Sequence, residues 1–200
     1  MTTNTNPAVW DLLETALADH RSVALVYDGG PVALRYPRGA GVGVPLPDRP
    51  SAIEIGTGEI LREGSTVALL GYGTGVGKAL EAASILSERG ISATVADARF
   101  AKPIDLALAA QLAAEHELLV TVEEGVLAGG FGSAVWETLS DAGVVAGVSG
   151  GGGARILRVG LPDRYVTHGA PKLLHEEVGF TGERIAERIE AAVAELEGVA

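Results

Sequence analysis

The chain has 200 residues, enough for one domain with a full core plus a shorter segment. Hydrophobic residues make up 47% of it and aromatics only 4%, so the core is expected from Ala, Val, Leu and Ile, and a base-stacking nucleic-acid surface is disfavoured. With 26 acidic against 15 basic side chains, a net charge of -11 and no cysteine, the composition speaks against phosphate-backbone binding and excludes disulfides, thiolate catalysis and cysteine-ligated zinc.

The opening "MTTNTNPAVW" has no basic region followed by an apolar one, and no stretch approaches the ~20 apolar residues of a membrane span. The sequence therefore reads as a cytoplasmic protein with no membrane partner. Val9, Leu12, Leu13, Ala16 and Leu17 form one helical stripe over residues 8–19, after an Asn6-Pro7 start. "SVALVYDGGPVALRYPRG" then predicts extended segments about an Asp28-Gly29-Gly30 turn. Residues 43–52, "GVPLPDRPSA", hold three of the nine prolines and mark a linker, because each proline fixes φ and removes a donor.

Beyond the linker the pattern becomes regular. "STVALLGYG" predicts a buried strand, and "GVGKALEAASILSERG" an amphipathic helix ending at Gly90. "ISATVADAR" is a second strand. "PIDLALAAQLAAEH" predicts a helix started by Pro103, with Asp105 in its first turn. "ELLVTVEEG" is a third strand, "GGFGSAVWETLSDAG" a glycine-rich turn into a helix, and "ARILRVG" a fourth strand after the Gly150–Gly153 tract. A last amphipathic helix carries Ile185, Ile189, Ala192, Val193 and Leu196 on one face. Apolar strands alternating with helices give the α/β class: a three-layer α/β/α sandwich around a mostly parallel sheet, with right-handed crossovers.

Four features bear on chemistry. "GYGTGVGKA" fits neither phosphate-loop spacing: Tyr72 stands where a P-loop needs glycine, Ala79 where it needs Ser or Thr, and Val76 or Lys78 interrupts the dinucleotide pattern. It is either an anion site at a helix start or a structural turn. Glu123 and Glu124, adjacent at a strand end, point to opposite sides, so one is expected to cap the following turn while the other is solvated. His20, His116, His168 and His175 lack zinc spacing; His116 falls at a helix end, and His168 lies in a loop as a ligand contact or a solvated side chain. Arg35 and Arg38 flank Tyr36-Pro37 and make a locally positive loop in an acidic chain. On the residues alone they are either solvated or a fork-shaped donor to a phosphate or carboxylate.

"GPVALRYPRG", "DARFAKPID", "LLVTVEEGVLAGGFGSAV" and "VGLPDRYVTHG" stand in an order that resembles the C-terminal part of the 1-deoxy-D-xylulose-5-phosphate synthases, thiamine-diphosphate-dependent members of the transketolase family. The resemblance runs from about Trp10 to the end. It implies that residues 1–43 are a remnant of the pyrimidine-binding domain, residues 44–55 a proline-rich linker, and residues 56–200 a transketolase C-terminal-like domain. It also implies that Arg38 matches the arginine that contacts the phosphate of glyceraldehyde 3-phosphate, with Arg35 beside it. The intact enzyme would use thiamine diphosphate and Mg²⁺ and act as a homodimer. The family's GDG…N signature, its activating glutamate and its catalytic histidines have no counterpart here, so no cofactor and no catalytic residue are expected on this chain alone. A second reading keeps the fold but makes the chain a non-catalytic binding or regulatory module, or one subunit of a split enzyme.

Overall fold

The computed structural model describes the backbone of residues 24–27 and 30–33, and residues 53–144 and 154–198. The predicted 8–19 helix, Arg35, Arg38, most of the linker and the Gly150–Gly153 tract lie outside the described residues. The chain divides into two compact units, Met1–Ser51 and Ala52–Ala200.

In the first unit β1 (Ala24–Tyr27) pairs antiparallel with β2 (Gly30–Ala33), with Tyr27 opposite Gly30 and Ala24 opposite Ala33. The extended segments expected about the Asp28-Gly29-Gly30 turn are these two strands, with Gly30 opening β2 and residues 28–29 outside the described residues.

The second unit runs β3 (Glu59–Arg62), β4 (Val67–Tyr72), α1 (Gly75–Glu88), β5 (Ala93–Asp97), α2 (Leu106–Glu115), β6 (Leu118–Val126), α3 (Phe131–Asp141), β7 (Arg155–Leu161), α4 (Pro171–Val178) and α5 (Gly182–Glu197). Its sheet has the order β3-β5-β4-β6-β7. The β4–β5, β4–β6 and β6–β7 pairs are parallel, and only β3, at the edge, is antiparallel.

The strands distribute alternate residues between two cores, as a pleat with helices on both faces requires. Val67, Leu69, Val95, Leu118, Val120 and Val122 pack with Ala79, Ala83 and Leu86 of α1 and Ile185 and Ile189 of α5. Ala68, Leu70, Ala96 and Leu119 pack with Ala109 and Leu112 of α2 and Phe131, Val135 and Leu139 of α3. The expected three-layer sandwich is the observed one. Alanines on α1 and α2 let the helices lie close to the sheet, which is how a core with few aromatics fills its space.

Two expectations are corrected. Helix α2 starts at Leu106 rather than Pro103, because Asp105 is its N-cap: one carboxylate oxygen accepts from Leu108 N–H at 2.9 Å and the other from Gly58 N–H at 2.9 Å. The loop expected around His168 extends only to Ala170, since α4 begins at Pro171 with the proline in its first turn.

Candidate functional site: the carboxyl end of the sheet

The chain leaves β4 toward β5 and β6 toward β7, in opposite directions, so the strand order reverses between β4 and β6. In open α/β sheets ligands bind outside the carboxyl ends of the strands at such a reversal. Tyr72, the last residue of β4, is the register partner of Glu123 on β6. Its ring stacks on Phe131 with centroids 5.1 Å apart.

Two glycines let the helices approach β6 closely at this end. A Cβ on Gly75, at the start of α1, would lie 2.2 Å from the carbonyl oxygen of Val122. A Cβ on Gly132, at the start of α3, would lie 2.4 Å from Thr121 Oγ1. Gly75 of "GYGTGVG" and Gly132 of "GGFG" thus have a packing reason.

Glu123 is 4% exposed and carries the start of α3. Its Oε2 accepts from Phe131 N–H at 2.7 Å and its Oε1 from Gly132 N–H at 2.8 Å. A carboxylate placed against a helix start satisfies otherwise orphaned donors and suits the dipole. The helix end that would attract an anion is already occupied by one from the protein.

Glu124 turns to the other side, as the strand alternation predicts, but it is not merely solvated. Its Oε2 accepts the hydroxyl of Thr74, the residue before α1, and its Oε1 lies 3.1 Å from His175 Nε2 on α4. Burial raises its pKa. The hydrogen bonds from Thr74 and His175, with the charges of His175 and Lys78, outweigh that and leave it below the ordinary glutamate value. Lys78 is itself engaged by Glu81 at 2.9 Å.

The arrangement of Thr74, Glu124 and His175 differs from a nucleophilic triad. There the imidazole stands between hydroxyl and carboxylate and takes the hydroxyl proton. Here the carboxylate stands between, so the imidazole does not contact the Thr74 hydroxyl. The cluster ties the β4–α1 turn, β6 and α4 together.

At the end of β5, Asp97 Oδ1 accepts from Arg99 N–H at 2.8 Å, which holds Arg99 at φ +56°. The Arg99 guanidinium pairs with Glu59 of β3. This turn belongs to the "DARFAKPID" stretch and ties the end of β5 to the edge strand.

The histidines separate clearly. His116 is buried; its Nδ1–H donates to Leu112 O at 3.0 Å and its Nε2 lies 2.9 Å from Thr94 Oγ1, so it joins the end of α2 to β5. His168 is exposed in the segment after β7. His20 lies outside the described residues. Among the described residues, His175, which sequence reasoning passed over, is the histidine that reaches the carboxyl-end crevice. Its partner is 51 residues away, and only the fold brings them together.

Among the described residues no group of three or more His, Asp or Glu side chains is placed to hold a metal ion, and Glu123 is committed to α3. These residues do not form a cradle for a metal-bound diphosphate. Among the described residues, no helix is long and apolar enough to cross a membrane.

Comparison with known proteins agrees with the fold. The model of the transketolase C-terminal domain matches residues 56–185. The chain is 50% identical over 181 residues to the 1-deoxy-D-xylulose-5-phosphate synthase of Thermomicrobium roseum, covering 90% of this chain and 28% of that relative. It is 50% identical over 173 residues to the synthase of Synechococcus sp. (strain JA-3-3Ab), covering 86% of this chain and 25% of the relative. Among solved structures, a split gene transketolase described as an inactive β4 tetramer matches with TM-score 0.62 at 34% identity, over 71% of this chain and 44% of that one. The chain thus spans between 25% and 28% of the length of these two curated relatives. From the parallel sheet, the two helical layers and the matched residues, it follows that the chain belongs to the transketolase C-terminal domain family and is homologous to the C-terminal region of 1-deoxy-D-xylulose-5-phosphate synthases.

Proposed function

We propose that this chain works as the C-terminal part of a 1-deoxy-D-xylulose-5-phosphate synthase. Such an enzyme decarboxylates pyruvate and joins the remaining two carbons to glyceraldehyde 3-phosphate, releasing CO2 and feeding isoprenoid and thiamine synthesis. The observation that carries this reading is 50% identity over 90% of the chain. The carbanion chemistry belongs to thiamine diphosphate with Mg²⁺, held by the rest of the enzyme. This chain's contribution is substrate binding and packing, in the cytoplasm, within a homodimer of the whole enzyme.

Arg38 is the proposed phosphate contact, with Arg35 beside it in the "RYPRG" loop. A guanidinium offers paired donors that match the oxygens of a phosphate, and a charge-assisted contact of this kind contributes about 1.5–3 kcal/mol. Residues 1–43 would then belong to the pyrimidine-binding domain, residues 44–55 to a linker and residues 56–200 to the C-terminal domain. A second reading, that the chain is one subunit of a split enzyme, is favoured by its likeness to a split gene transketolase.

Calorimetric titration of glyceraldehyde 3-phosphate into the chain, into Arg38→Ala and into Arg35→Ala tests the substrate assignment. Binding that weakens about 10- to 100-fold in Arg38→Ala is expected from the size of such a contact. Equal affinity of the wild type and Arg38→Ala would refute the assignment of Arg38.

A further inference from the structure

We propose that α4 is a hinged strap across the carboxyl end of the sheet, latched by the hydrogen bond between His175 and Glu124 and released as a unit when that bond is lost. The inference rests on the geometry of the second unit and is independent of the proposed function.

An eight-residue helix is too short to hold itself in water, so contacts outside it must keep it formed. Yet α4 buries none of its residues, and Leu173 on its outer side is 64% exposed. Leu174, His175 and Val178 are half-buried, and of these Val178 packs at the margin of the α1–α5 core. Among the described residues, the side-chain hydrogen bond from α4 to the sheet is His175 Nε2 to Glu124 Oε1, at 3.1 Å. The Arg164–Glu177 pair, at 3.6 Å, reaches only the segment that precedes the helix.

The two ends of α4 are held differently. At the C-terminal end Gly179, at φ +72°, turns the chain into Phe180, which is 1% exposed and anchored in the core. At the N-terminal end residues 163–170 are exposed except Val166, which is half-buried. Short segments that join a mobile element to a packed one are where hinge motion is absorbed.

The latch acceptor is held from behind, since the second oxygen of Glu124 takes the Thr74 hydroxyl. Beside the latch runs a cleft of about 800 Å³. The charged groups that face it are Lys78 and Glu81 from α1, Lys172 and Glu176 from α4 itself, and Glu183 from α5. These charges are mixed in sign, and Lys78 is neutralised by Glu81, so none replaces the directed bond to Glu124. The edge-on contact of the His175 ring with Phe180, at 5.5 Å, positions the imidazole for that bond. Release would free Glu124 and widen the cleft, giving up the marginal contact of Val178 with the α1–α5 core.

Hydrogen exchange followed by mass spectrometry on the full chain tests this, because local opening appears as fast exchange confined to one segment. The variants are His175→Ala, His175→Gln, which keeps a side-chain donor, and Glu177→Gln, which breaks only the outer pair. Expected is exchange about tenfold faster or more over residues 171–178 in His175→Ala, unchanged exchange over 118–123 and 185–192, partial rescue in His175→Gln, and wild-type behaviour in Glu177→Gln. Wild-type exchange over 171–178 in His175→Ala would overturn the strap, as would an equal rise across β6 and α5. An effect of Glu177→Gln as large as that of His175→Ala would also overturn it.

Discussion

Glu123 and Glu124 are neighbours on β6 yet hold different helices on opposite sides of the sheet. Glu123 bonds the first amides of α3, and Glu124 bonds the imidazole of His175 on α4. Strand alternation is the cause, since successive side chains leave a strand in opposite directions. The two carboxylates therefore predict different responses to substitution.

Removing Glu123 leaves two buried N–H groups without an acceptor. At about 1–3 kcal/mol for each, Glu123→Ala is expected to lose about 2–6 kcal/mol of stability, and Glu123→Gln, which keeps one acceptor oxygen, clearly less. Urea unfolding of the three proteins checks this. Equal midpoints for the wild type and Glu123→Ala would show that α3 does not need the cap.

Glu124 gives an acid-range prediction. Its pKa in the folded chain is lowered, so the stability it contributes is fully present above its unfolded value and is lost as pH falls through the folded one. Glu124→Gln cannot titrate. The difference in melting temperature between the wild type and Glu124→Gln should thus be largest near neutral pH and shrink through the carboxylate range. A difference independent of pH down to about 3 would contradict the charge-based account.

The contact between Gly132 and Thr121 should appear as coupling. Adding a methyl at Gly132 places it 2.4 Å from Thr121 Oγ1 and 3.2 Å from Arg158 Cγ, an overpacking expected to cost about 1–3 kcal/mol. In a Thr121→Ala background much of that clash is gone. Gly132→Ala should cost at least about 0.5 kcal/mol less there, the scale of coupling between touching residues. Additive effects in the double-mutant cycle would mean that α3 shifts instead of pressing on β6.

Much of the fold was legible because apolar runs such as "VALL" and "LLVTV" are buried on both faces, and the glycine and proline signals between them mark real turns. Edge strand β3 was not legible. "EILR" is four residues long, half of it charged, and it pairs antiparallel only because β5 offers a free edge. Helix α4 was hidden for a related reason: it buries none of its residues, so its sequence carries no core stripe. A capping role for one carboxylate of the Glu123-Glu124 pair followed from strand alternation. Which of the two caps depends on the register of β6 against β4, and sequence does not encode that locally. The bond from His175 to Glu124 spans 51 residues and is a product of topology alone.

Under the proposed function this chain completes a synthase whose cofactor is held by its other domains. The most direct test is to purify the chain and the cofactor-bearing remainder of a homologous synthase separately, then assay pyruvate and glyceraldehyde 3-phosphate with thiamine diphosphate and Mg²⁺. Neither part alone should form 1-deoxy-D-xylulose 5-phosphate, the mixture should, and Arg38→Ala should lower the rate at subsaturating aldehyde. Product formed by this chain alone, or a remainder that works equally well without it, would refute the proposed function.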